Sequence, residues 1–265
     1  MSPLEPFVRE AGSGPGVVCM HANASTSGQW RELMALIAPR FHVFAPDLYG
    51  SGKSPRWPSG RALTLGDEVA LLKPVLRRAP APLVLVGHSY GAAVALIAAV
   101  RDPGRVRAMA LYEPTLFALI DAEAPPPNAA DGIRDAVTDG RAALEAGNPE
   151  LAAERFIDYW MHPGAWARTP EPRKAPIVDS VRNIPQWANA LFSETTPLSA
   201  FRALDIPILY MTGTRSTPAA RDVARILRTT LPRVENVDFE GLGHMGPVTD
   251  AARVNAVIAQ YLERA

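Results

Sequence analysis

The stretch "PLVLVGHSYGAAVALIAAVRD" (82–102) contains one abrupt change of period. Its first half is a short, unbroken apolar run, as expected of a strand buried on both faces. Its second half is rich in Ala, Val, Leu and Ile over a length that suits an apolar helix. Between them lies Gly87-His88-Ser89-Tyr90-Gly91, a G-x-S-x-G match placed where strand gives way to helix. That context predicts a sharp turn holding a serine hydroxyl out of the sheet edge, with glycines on both sides to keep neighbouring side chains clear. The helix N-terminus that follows directs free N–H groups toward developing negative charge.

The same rhythm runs outward along the chain. "GVVCMH" (16–21), "FHVFAPD" (41–47), "VRAMALYEP" (106–114), "IPILYMTG" (206–213) and "ENVDFEG" (235–241) read as further strands. Residues 25–39, 63–79, 217–231 and 249–265 read as helices, the first with Thr26 and Gln29 spaced for a capping box. Alternating strands and helices predict an α/β fold with a mostly parallel central sheet and helices on both faces. From about 115 to 203 no strand is legible. The segment opens on "DAEAPPPN" and carries Trp160, Trp166, Trp187 and Phe192. Asn148 followed by Pro149 is a helix start, with the Asn as cap. The expected organisation is a core of residues 1–114 and 204–265, interrupted by a helical insertion, 115–203, whose aromatics either pack it onto the core or line a pocket.

Bulk properties exclude several functions. The chain has 265 residues, 48% of them hydrophobic, with 27 basic and 27 acidic side chains. That balance leaves no electrostatic footprint for nucleic acid or an anionic membrane. The one cysteine, Cys19, supports neither a disulfide framework nor a Cys-rich metal site. The start, "MSPLEPFVREAGSG", does not read as a signal peptide, and no apolar run approaches the roughly 20 residues that cross a bilayer. A cytoplasmic protein is the default expectation.

Taken together, the motifs resemble those of the α/β-hydrolase fold, and the resemblance extends over nearly the whole chain. Beside the serine turn, "MHANAS" (20–25) follows the first strong strand, where that family carries an oxyanion-hole loop. "DLYGSGKS" (47–54) is similar to the family's D-x-x-G-x-G-x-S loop, and "GLGHM" (241–245) to the segment bearing the catalytic histidine. The helical segment falls where the family inserts its cap. Ser89 is then the expected nucleophile and His244, of five histidines, the expected base. The oxyanion hole would pair the backbone N–H of Tyr90 with that of Asn23, the latter by family position, although Ala22 stands where the family usually has Gly. Losing one such donor typically raises a barrier by about 3–4 kcal/mol. Asp47 reads as a local hydrogen-bonding residue of its turn.

The acid is where the resemblance departs. The family most often carries it shortly after the strand that here is "PILYMTG" (207–213), but the matching position is Ser216, and Asp222 comes later within a helix. The preceding strand ends in "ALYEP", placing Glu113 at a carboxyl end one strand closer to Ser89, about 4.8 Å across. Some members, haloalkane dehalogenases among them, carry the acid after this earlier strand. Glu113 is therefore the expected acid, with a strand-end glutamate bonded to the insertion or to a backbone amide as the other reading. The resemblance implies a serine hydrolase without cofactor or metal, acting on a small or medium carboxylic ester, lactone or thioester. Two alternatives stay open: carbon–carbon bond hydrolysis or perhydrolysis on the same three residues, and a non-catalytic small-ligand receptor on this scaffold. The physiological substrate and the oligomeric state are not encoded in any motif.

Overall fold

Along the central strands neighbouring residues point to opposite faces, and both faces are apolar. Val17 and Cys19 of one strand join a core with Val84, Val86, Ala108 and Met211, whereas Val18 and Met20 join another with Leu85, Leu111 and Tyr210. All of these are buried. A sheet covered on both sides by helices demands this pattern.

The computed structural model describes residues 4–265. Its strands are β1 (Val8–Ala11), β2 (Gly16–Met20), β3 (His42–Pro46), β4 (Leu83–His88), β5 (Val106–Tyr112), β6 (Ile208–Gly213) and β7 (Val234–Phe239). They form one sheet in the order β1-β3-β2-β4-β5-β6-β7, with β1 antiparallel to β3 and the rest parallel. β1 is absent from the strands read in the sequence, because four half-polar residues at a sheet edge carry no distinct period. The helices of the core are α1 (Arg31–Ile37), α2 (Leu65–Arg78) and α3 (Tyr90–Arg101). Between β5 and β6 run α4 (Ala118–Glu123), α5 (Asp131–Glu145), α6 (Pro149–Trp160), α7 (Glu171–Ser180), α8 (Ile184–Phe192) and α9 (Leu198–Arg202). The chain closes with α10 (Pro218–Thr230), α11 (Gly246–Thr249) and α12 (Ala251–Leu262). No helix among the described residues is long and apolar enough to cross a membrane.

Local chemistry sets the helix starts. Asn148 Oδ1 accepts from the Leu151 N–H at 3.1 Å and Pro149 opens α6, as the dipeptide predicts. The capping box expected at Thr26 is not formed. Thr26 caps Gly28 instead, over a 3-10 turn, and the Gln29 side chain turns inward to other partners. A complete capping box lies at Thr64 and Asp67, before α2.

α2 also carries Glu68, which is wholly buried. Its two oxygens accept from the Tyr49 backbone N–H and the Tyr90 hydroxyl, each at 3.1 Å, tying the 47–54 loop to the start of α3. Burial pushes the carboxyl from its ordinary 4.5 up to about 7. Between those values the folded state keeps a proton that the unfolded chain has released, so stability falls as pH rises through the interval and levels off above it. Glu68→Gln keeps the shape and removes the charge. From about pH 4 to about pH 8, its unfolding free energy relative to wild type should rise by roughly 3 kcal/mol in denaturant titrations. A difference independent of pH would show that folding leaves the Glu68 carboxyl at its ordinary pKa.

Candidate active site

The parallel register puts His88 of β4 opposite Tyr112 of β5, so Ser89 and Glu113 leave the sheet side by side. Both take left-handed backbone angles that side chains rarely adopt, φ 57° at Ser89 and 44° at Glu113. Such strain costs on the order of 1–3 kcal/mol per residue and persists only where the surroundings hold it. The holding is visible. The Ser89 N–H donates to the Tyr112 carbonyl at 2.9 Å, and the Glu113 N–H to the Met211 carbonyl at 3.1 Å. A Cβ on Gly87 would lie 2.5 Å from the Ala92 Cα, and one on Gly91 2.3 Å from the Met20 carbonyl oxygen. Glycine is therefore required on both sides of the serine.

His244 reaches this point from the loop after β7. Its Nε2 lies 2.8 Å from Ser89 Oγ and its Nδ1 2.7 Å from Glu113 Oε2. A carboxylate only accepts, so Nδ1 carries the proton and Nε2 is free to accept from the serine hydroxyl. Glu113 Oε1 accepts from the Gly213 N–H at 2.7 Å and from the Ser216 hydroxyl. Ser216, at the position where the resemblance calls for an acid, thus hydrogen-bonds the glutamate of the neighbouring strand. Asp222 lies on α10 and pairs with Arg225 at 2.7 Å. Asp47 accepts from the Ser27 and Lys53 N–H groups, as its turn role predicts.

Two backbone N–H groups beside the serine bear on the expected oxyanion hole. The backbone N–H groups of Asn23 and Tyr90 have no hydrogen-bond partner among the described residues. His21 Nδ1 lies 2.7 Å from the Ala22 carbonyl, and its Nε2 accepts from the Leu48 N–H at 3.1 Å. In a trans peptide C=O and N–H point in opposite directions, so pinning the Ala22 carbonyl also orients the Asn23 N–H. Ala22 is tolerated in place of glycine because the left-handed residue of this turn is Ala24, φ 54°. Burial lowers the His21 pKa and keeps its ring neutral.

A cavity of about 840 Å³ opens on Ser89 and His244. Phe117, Phe156, Trp160, Trp187, Leu191 and Phe192 wall it. Trp160 lies face to face with His244, ring centroids 4.0 Å apart at 26°. The aromatics of the helical segment therefore both pack together and line the cavity. Three features escaped the sequence reading: the Trp160–His244 stack, and the inward-facing roles of Gln29 and His88. Closeness to the motifs is all that marks Gln29 and His88 in the sequence, and Trp160 is marked only as an aromatic of the helical segment. No cluster of potential metal ligands occurs among the described residues.

Comparison with known proteins gives a consistent result. Residues 17–257 match the model of the "Alpha/beta hydrolase family". The chain is similar to a 2-(acetamidomethylene)succinate hydrolase of Mesorhizobium japonicum, 27% identical and covering 78% of this chain and 83% of that one. It is also similar to the lipase LipV of Mycobacterium tuberculosis, 29% identical over 94% of both chains. Among solved structures, an alpha/beta hydrolase from Sphaerobacter thermophilus superposes with a TM-score of 0.76 at 25% identity, over 97% of this chain and 95% of that one.

The hydrogen bonds around Glu113 make a sharp prediction. In Glu113→Gln the Gly213 N–H and Ser216 hydroxyl hold the amide oxygen, so the NH₂ faces His244 Nδ1 and forces the proton onto Nε2. That is the tautomer that cannot accept from Ser89. Turnover of an ester probe should fall at least about a hundredfold with the melting temperature retained. Ser216→Ala should lose about tenfold or less, and Asp222→Asn should match wild type. A fully active Glu113→Gln protein would remove the glutamate from the site.

Proposed function

Because the chain belongs to the alpha/beta hydrolase family, we propose that it is a cofactor-free serine hydrolase cleaving a small or medium carboxylic ester through an acyl-enzyme. The observation that carries this reading is the unbroken chain Ser89 Oγ–His244 Nε2, His244 Nδ1–Glu113 Oε2, at 2.8 and 2.7 Å, with its serine end facing an apolar cavity.

In this mechanism Ser89 Oγ attacks the ester carbonyl as His244 Nε2 takes its proton. Glu113 holds the ring in the required tautomer and offsets the charge of the imidazolium. Negative charge collects on the former carbonyl oxygen, which the N–H groups of Asn23 and Tyr90 receive. His244 returns the proton to the departing alkoxide, leaving the acyl group on Ser89. A water molecule, deprotonated by the same ring, then attacks the acyl carbon, and the proton passes back to Ser89 as the acid leaves. Nucleophile, base, orienting carboxylate and oxyanion donors are all supplied by this chain, so the steps written here close without a further group. The helical segment 115–203 acts as a cap over the site. Its aromatic walls favour an apolar acyl or alcohol portion, since burying such a surface contributes about 25 cal/mol per Å².

p-Nitrophenyl acetate and butyrate provide the test. Both should be hydrolysed over many turnovers, the butyrate with the higher kcat/KM, and Ser89→Ala should release nitrophenol at the uncatalysed rate. A single burst of one equivalent, or release that survives Ser89→Ala, would end this reading and favour a ligand-binding role for the same cavity.

A further inference from the structure

A second line of hydrogen bonds runs behind the Ser–His–Glu chain, through two residues to which the mechanism gives no part. His88 Nε2 lies 2.8 Å from the backbone carbonyl of His244. A carbonyl can only accept, so Nε2 carries the proton. The His88 ring is wholly buried, and burial, with the neighbouring His244 adding to it, drives its pKa well below 6.5. It is neutral, and its Nδ1 therefore offers a lone pair. The atom facing Nδ1 is Gln29 Nε2, at 3.1 Å, which donates. That fixes the Gln29 amide the other way round, with Oε1 accepting from the Ala22 N–H at 3.1 Å. Every link has one permitted direction: Ala22 N–H to Gln29, Gln29 to His88, His88 to the His244 carbonyl.

The two ends of this line lie in the two loops that carry the proposed partners of Ser89. Ala22 N–H belongs to the peptide just before the one that presents the Asn23 N–H, and the His244 carbonyl belongs to the residue that accepts the serine proton. Both sit on loops, and β2 and β7 are far apart in the sheet order. We propose that Gln29 and His88 are positioning residues that set the oxyanion turn and the base loop at a fixed separation across Ser89; this rests on the hydrolase reading above. Neither needs to touch the reacting atoms. Because the oxyanion contact strengthens only as charge develops, a slack turn costs transition-state stabilisation rather than ground-state binding. Gln29 also borders the cavity, and a residue that gripped substrate would instead act on KM.

The test compares Gln29→Met, His88→Leu and the double variant, which stay near the native side-chain volumes and delete the hydrogen bonds. With p-nitrophenyl butyrate each single variant should lose about 10- to 100-fold in kcat, with KM within about threefold of wild type. The double variant should be no more than about threefold worse than the weaker single, since the first break already disconnects the line. Losses that multiply, losses carried by KM, or full kcat in either single variant would overturn the proposal. Wild-type turnover and its dependence on Ser89 test the hydrolase reading separately. An NMR comparison of wild type and Gln29→Met reads the line without any turnover. It should shift the Ala22 amide and the ring nitrogens of both His88 and His244. A change confined to Ala22 would show that the line does not connect the loops.

Discussion

Parallel strands deliver their carboxyl ends to one rim, and here the register of β4 on β5 places Ser89 and Glu113 at the same level of that rim. Both residues then turn out of the sheet with positive φ, each held by an N–H bond to the neighbouring strand. The geometry leaves little freedom to choose otherwise. A one-residue slip of a strand buried on both faces would exchange the side chains that fill the two apolar cores and mispack both at once. The position of the serine relative to the glutamate is thus set by the hydrophobic cores on either side of the sheet. His244, arriving from a loop, has only to meet a pair already fixed.

The position of the Glu113 carboxylate explains what surrounds it. A buried carboxylate is tolerated when its lone pairs are occupied. Glu113 receives one bond from His244 and two from the β6 loop, the Gly213 N–H and the Ser216 hydroxyl. A serine after β6 is therefore complementary to a glutamate after β5, whereas a second acid there would set two carboxylates against one another. An added Cβ on Gly213 would meet the Leu242 carbonyl oxygen at 2.4 Å, so the same loop also packs directly under the base segment.

How much of this the sequence disclosed follows from how local each signal is. The strand-turn-helix around Ser89 is a period change with glycines at fixed offsets, and the fold reproduces it because tight backbone approach leaves no other residue possible. His244 and the 47–54 loop were marked by similarly local patterns. The choice of Glu113 over a later acid rests on which strands are neighbours, and the sequence offers only indirect signs of that: Ser216 where the acid is expected, and family members that carry the acid after the earlier strand. The roles of Gln29 and His88 were hidden, since their hydrogen bonds link residues 59 and 156 positions apart. Gln29 was even assigned to a capping box, a local role that its tertiary partners override. Trp160 was legible only as an aromatic of the helical segment, and its place over His244 requires α6 to be docked.

That docking joins the helical segment to the proposed chemistry. In the mechanism His244 passes through an imidazolium while it holds the serine proton. It is then a cation lying against the face of an indole, in a site from which the 1% exposure of the ring excludes nearly all solvent. A cation over an aromatic face is stabilised by about 0.5–2 kcal/mol, more when desolvated. Glu113 offsets the same charge from the opposite ring nitrogen. The base is thus held edge-on by the core and face-on by the insertion, and only the charged, transition-state form of the ring draws fully on both.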